Sequence, residues 1–156
     1  MVDVEDFLRQ KGIPFKLHTH PPVMTGEELE ALALPGLPCK NLFLRDQKKR
    51  RYMLFVLPVS ERADIQKLAE CAGERKLSFV NAETLNDKLG VKPGAVSPFG
   101  LLNDNKKSVE LFLSRKVAEA PLLHFHPDRN TASLELTGEG FRNFLSVLGH
   151  KIVIVD

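Results

Sequence analysis

The longest unbroken apolar stretch in this sequence, residues 53–59, is seven residues long and already contains Pro58. A bilayer crossing needs roughly 20 apolar residues, so the chain is expected to stay out of membranes and to build its core from short elements. With 156 residues, 43% hydrophobic and 27% charged, it has the balance of one globular domain, expected over residues 1–156. A domain of that size buries about 70% of its unfolded surface and needs no disulfide or metal to hold it together. Cys39 and Cys71 form no CxxC pair, which fits two free thiols in a reducing cytoplasm. The first ten residues carry Asp3, Glu5 and Asp6 rather than a basic start and an apolar run, so no secretory signal is expected. Lys and Arg exceed Asp and Glu by only two, too slight a bias to argue for a nucleic-acid partner by itself.

Proline and glycine divide the chain into short segments. Residues 2–11 are predicted as an amphipathic helix stopped by Gly12, and 14–20 as a strand ended by Pro21-Pro22. Thr25 and Glu28 form a capping box for the next helix. Strands are expected at 39–45 and 51–57, joined as a hairpin by the polar run 46–50. A helix follows from Ser60 or Glu61 to Cys71, then a strand at 76–80 and a helix to Leu89 capped by Asn81. Residues 92–100, Lys-Pro-Gly-Ala-Val-Ser-Pro-Phe-Gly, read as a shaped loop outside regular structure. Strands at 108–113, 122–126 and 130–136 precede a last helix, capped by Thr137, and a final strand at 151–155. Eight strands and five helices without steady alternation predict an α+β fold, with a barrel-like, mixed, largely antiparallel sheet flanked by helices.

Four of the five histidines form two strand pairs, His18/His20 and His124/His126, and residues two apart on a strand share a face. Together they could hold a metal. No Cys-x-x-Cys and no closely spaced carboxylate accompanies them, so no metal is assigned, and His18, His124 and His150 read as hydrogen-bonded structural residues. His126 differs because it opens the turn His-Pro-Asp-Arg-Asn-Thr, which brings it toward Asn130 across a bend. Lys40 sits at the start of an apolar strand, where its ammonium suits a phosphate, or simply reaches past the core to water. Cys39 has no partner base and reads as a buried thiol. The run Lys48-Lys49-Arg50-Arg51 lies at the hairpin tip, either solvated or in contact with phosphate. No Walker loop, GxGxxG, nucleophile elbow or HExxH is present, which removes the commonest nucleotide, hydrolase and zinc-protease readings.

Three segments taken in order are more specific than any one of them: Leu-Pro-Cys-Lys-Asn-Leu-Phe-Leu-Arg-Asp at 37–46, Val-Lys-Pro-Gly-Ala-Val-Ser-Pro-Phe-Gly-Leu-Leu-Asn-Asp at 91–104, and Phe-His-Pro-Asp-Arg-Asn-Thr at 125–131. The combination resembles the YbaK/prolyl-tRNA-synthetase-associated editing domain family over about residues 2–149, and within it the freestanding alanyl-tRNA(Pro) deacylases. The resemblance implies a cytoplasmic hydrolase that needs no cofactor and removes alanine wrongly attached to proline tRNA. By position, Lys40 matches the lysine that engages the terminal adenosine and its phosphate, and His126 matches the pocket histidine. Gly94, Ala95, Val96, Ser97 and Pro98 match the substrate loop. Asn41, Gly100 and Asn130 complete the expected substrate-binding set.

The implied partner is the 3′ end of an aminoacyl-tRNA(Pro), with prolyl-tRNA synthetase or an elongation factor as further partners that these residues do not specify. A monomer is the default, since no heptad stripe is present. Two rival readings stay open: the same fold acting on a tRNA mischarged with cysteine, serine or threonine, and a noncatalytic tRNA-binding module.

Overall fold

The computed structural model describes residues 1–156. Eight strands form two sheets. Strands β1 (Lys16–Thr19), β7 (Ala132–Thr137) and β6 (Leu122–Phe125) make an antiparallel sheet in the order β1-β7-β6. The larger sheet has the order β4-β2-β3-β5-β8, with β2 (Cys39–Asp46), β3 (Tyr52–Pro58), β4 (Leu77–Phe79), β5 (Val109–Ser114) and β8 (Ile152–Val155). Here β3 pairs with β2 antiparallel, whereas β3/β5 and β5/β8 are parallel. One parallel bridge, Leu37 to Leu123, joins the sheets, so the α+β expectation holds while the barrel-like sheet is two open sheets rather than a closed cylinder.

β3 and β5 are apolar at every position from Met53 to Leu57 and from Leu111 to Leu113 because both faces of the larger sheet are covered. Leu54, Val56, Leu111 and Leu113 face the main core with Phe99, Leu123, Phe125, Leu134, Phe141 and Phe144. Their alternating neighbours Met53, Phe55 and Phe112 face a smaller core under α3 (Ile65–Ala72). Phe55 and Phe112 stack there at 4.6 Å between ring centroids.

Capping residues fix most helix starts. The Thr25 side chain accepts from Glu28 N at the head of α2 (Gly26–Ala31), Asn81 from Thr84 N at α4 (Ala82–Leu89), and Thr137 from Gly140 N at α6 (Gly138–Leu148). α1 spans Val4–Gln10. The α3 helix starts four to five residues later than expected, because Asp64 rather than Ser60 or Glu61 caps it by accepting from Lys67 N. Two elements were not anticipated. Ser114 caps a short α5 (Arg115–Glu119), and Ser97 with Pro98 starts a 3₁₀ helix, Pro98–Asn103, where a loop was expected through Gly100. Proline suits the first helical turn, where its missing N–H costs nothing.

Gly138 opens α6 with its backbone pressed against the Ala120 carbonyl oxygen, which an added Cβ would strike. Elsewhere in a helix, glycine to alanine gains about 1 kcal/mol. At this position the sign is reversed: Gly138→Ala is expected to cost about 1–3 kcal/mol by overpacking, read as a lower midpoint in urea denaturation.

Candidate functional site

β2 is paired with β3 along nearly its whole length but meets β4 only at Leu44, Arg45 and Asp46. The first half of β2 therefore has a free edge. Beside it lies a cleft of about 250 Å³ whose walls include Lys40 and Asn41 from β2, Gly94 and Val96 from the loop before the 3₁₀ helix, and His126 from the turn after β6. Five of the expected site residues, separated by up to 86 positions, thus meet in one cavity.

The remaining five lie around it. Ala95, Ser97, Pro98 and Gly100 are buried behind the cleft wall. The Ser97 hydroxyl donates to the His126 carbonyl at 2.7 Å and accepts from Phe99 N at 3.1 Å, so it binds the loop to the histidine turn. Gly100 packs against Leu89. Asn130 was expected to support the His126 turn. Its amide instead donates to the Val23 carbonyl at 3.0 Å and reaches Met24 Sδ at 3.2 Å, which holds the opposite wall.

That opposite wall, Val23 to Gly26 and Leu29, was absent from the sequence reading. Val23 N donates to the Asn130 carbonyl, and Met24 N donates to Glu28 of the capping box at 3.2 Å. Gly94, at φ +92°, is the point of closest approach: a Cβ there would run into Met24 Sδ. The capping box was visible in sequence, but nothing local signalled that its leading segment would face residue 94.

Lys40 Nζ donates to the main-chain carbonyl of Glu61 in the turn after β3. Asn41 Oδ1 is buried and has no hydrogen-bond partner, and the N–H groups of Gly94 and Val96 have no acceptor in the chain. The cleft therefore combines one cation, unspent main-chain donors and an unspent acceptor.

The tautomer of His126 follows from its partners. Its Nδ1 is 2.8 Å from the Ala132 carbonyl, an atom that only accepts, so Nδ1 carries the hydrogen and Nε2 the lone pair. By the same logic His20 Nδ1 donates to the Pro21 carbonyl, and its Nε2 accepts from Ser133 Oγ at 2.9 Å. The two rings lie 5.8 Å apart. Burial holds the His126 pKa below the usual histidine value, His20 and His124 add to this, and the Ala132 carbonyl opposes it. Two residues on, burial pushes Asp128 up to about 6.

The other histidines go to separate partners: His18 to Glu135 at 2.9 Å, His124 to the Pro35 carbonyl at 2.9 Å and His150 to Asp104 at 3.0 Å. No group of three or more His, Cys, Asp or Glu is placed to hold a metal. Burial drives the Cys39 thiol up to about 12, which makes it inert as a nucleophile. A larger concavity of about 380 Å³ lies beyond Glu61. Its cations face as many acids, with Arg115 paired to Asp156 and Lys116 to Glu61, and it contains none of the expected residues. No helix is long and apolar enough to cross a membrane.

Comparison with known proteins agrees with this geometry. The family model described as an aminoacyl-tRNA editing domain matches residues 20–144. The chain is 33% identical over 151 residues to the prolyl-tRNA editing protein ProX of Acetoanaerobium sticklandii, covering 96% of this chain and 92% of that protein. It is 32% identical over 158 residues to the prolyl-tRNA synthetase associated domain-containing protein 1 of Danio rerio, covering 99% and 85%. Among solved structures, the hypothetical protein APE2540 superposes with a TM-score of 0.75 at 22% identity, covering 99% of both chains, a likeness of fold. The family model covers most of the chain and two curated relatives match it over nearly its whole length, so the chain belongs to the aminoacyl-tRNA editing domain family.

Proposed function

We propose that this protein is a trans-acting aminoacyl-tRNA deacylase and that its substrate is alanyl-tRNA(Pro). The observation that carries the reading is the convergence of Lys40, the main chain at Gly94 and Val96, and His126 on one small cleft. An aminoacyl ester is already reactive. Its hydrolysis requires a fixed carbonyl, a placed water and donors for the developing oxyanion, with no need for a side-chain nucleophile.

Lys40 exchanges the neutral Glu61 carbonyl for the phosphate of the terminal adenosine, a stronger, charge-assisted partner. The Gly94 and Val96 N–H groups receive the carbonyl oxygen as it gains charge. His126 Nε2, unprotonated, accepts from the α-amino group or from the attacking water, and the ribose 2′-hydroxyl helps orient that water. Water adds to the carbonyl carbon, the bond to the ribose 3′ oxygen breaks, and a proton passes to that oxygen. Alanine leaves as the free acid. Backbone and side chains of Ala95, Ser97, Pro98 and Gly100 keep the loop in place, and Asn41 lines the cleft beside Lys40.

Size supplies the selectivity. A synthetase pocket shaped for proline rejects the smaller alanine by only about 1–3 kcal/mol, the worth of missing methylenes, so a second sieve is needed. On this reading the apolar side chains of Val23, Leu29 and Val96 on the cleft wall leave room beside the bound ester for a methyl group but not for the proline ring. Deacylation assays on alanyl-, cysteinyl-, seryl- and prolyl-tRNA(Pro) test this directly. Preferred cleavage of the alanyl ester is expected, and cleavage of none would leave the chain a binding module.

Lys40→Ala is expected to lower kcat/KM for alanyl-tRNA(Pro) by about 10- to 100-fold, the worth of a hydrogen bond to a charged group. Unchanged activity would remove Lys40 from the site. The pH dependence has a defined sign: the lone pair on His126 is lost as pH falls through a pKa held below the usual value of about 6.5. The ratio of wild-type to His126→Gln kcat/KM, which cancels titration of the substrate amine and of Asp128, should stay flat from pH 8 to 6.5. It should fall only at lower pH.

A further inference from the structure

We propose that the edge strand β4 and the tip of the β2–β3 hairpin form a track for the tRNA outside the cleft, with Phe79 stacking an unpaired base of the 3′ tail and a cluster of five cations holding the phosphates behind it. The inference takes the cleft as the site of the ester, as proposed above.

β2 runs straight from one place to the other. Lys40 to Leu42 border the cleft. Two residues further on, Leu44 is opposite Phe79 in the register of β4, and Asp46 is opposite Leu77. At about 3.3 Å per residue, Phe79 lies roughly 13 Å from Lys40 along the strand and the hairpin tip roughly 20 Å. Phe79 is 59% exposed. Protein edge strands are ordinarily blunted with charge, and a bare aromatic there worsens the exposed edge unless something stacks on it.

Beyond Phe79 the surface turns basic. Lys76 and Arg75 precede β4, and Lys48, Lys49 and Arg50 form the hairpin tip; all five side chains are exposed. None of them enters an ion pair. The neighbouring acids are already engaged: Asp46 accepts from the main-chain N–H groups of Arg50 and Arg51, and Glu74 and Glu110 both pair with Arg51. The five cations therefore outnumber the acids left without a cationic partner beside them, and the patch is net positive although the chain as a whole is close to neutral. An exposed aromatic leading into unpaired cations is the chemistry that binds single-stranded nucleic acid, with base on ring and phosphate on ammonium. The order along β2 (ester site, stacking ring, cations) matches the order of a tRNA tail read from its 3′ end.

The test uses the full chain, unacylated tRNA(Pro) transcript as the binding probe, and 3′-alanyl adenosine as a substrate that reaches only the cleft. Phe79→Ala should weaken transcript binding about tenfold by fluorescence anisotropy, and Phe79→Tyr should retain it. Neutralising Lys48, Lys49 and Arg50 together to Gln should weaken it comparably and make the slope of log Kd against log salt shallower by about 2. Turnover of 3′-alanyl adenosine should be unchanged in all variants, which also shows that they are folded. Variants that match the wild type in Kd and salt slope would overturn the track, as would a wild type that does not bind the transcript. A wild type that binds tRNA through these residues but cleaves neither alanyl ester would overturn the deacylase reading and leave the track standing.

Discussion

The cleft depends on one buried hydroxyl. Ser97 Oγ donates to the main-chain carbonyl of His126 and accepts from Phe99 N, so two segments 29 residues apart become a single rigid wall. Ser97 is fully buried, where an unsatisfied donor or acceptor would cost about 1–3 kcal/mol, and both of its bonds are therefore strongly enforced. The opposite wall is held by an analogous pair across a longer span, Asn130 with the carbonyl and N–H of residue 23. With both walls tied to the turn at 126–130, the position of Gly94 relative to Met24 is set by hydrogen bonds rather than by packing.

This arrangement explains why main-chain donors can be left unspent at the cleft. A loop with free N–H groups collapses or frays unless its backbone is fixed from behind. Pro98 is buried and Phe99 belongs to the main core, and Ala95 N bonds back to the Lys92 carbonyl, so the loop is anchored on its inner side while its outer side faces the cleft. Ser133 Oγ lies 2.9 Å from His20 Nε2 and 3.4 Å from His126 Nδ1, so one hydroxyl links the two rings beside the cleft.

What could be read from sequence was what local chemistry encodes. The capping residues Thr25, Asn81 and Thr137 each act within one helical turn and were legible. The long apolar runs of β3 and β5 announced strands, but not that two cores would share them, which requires knowing that α3 folds back over one face. The parallel pairing of β5 with β3 and β8 joins segments far apart in the chain, and no residue pattern specifies it. Among the residues lining the cleft, Lys40, Gly94 and His126 lie in compact motifs and were anticipated together. Val23 and Met24 were not, because they reach the cleft through a contact with Asn130 that spans more than a hundred residues. The brief α5 was missed because five residues are too few to show a helical period.

The free edge of β2 has a consequence for the solution behaviour of the protein. Unpaired strand edges invite a second chain to add to them, the first step toward aggregation. The exposed stretch here is short, is sheltered in part by α2, and carries a lysine at its second residue. The ammonium at this position repels strand addition by another copy, so an apolar residue in place of Lys40 would leave the edge less protected whatever its effect on the cleft.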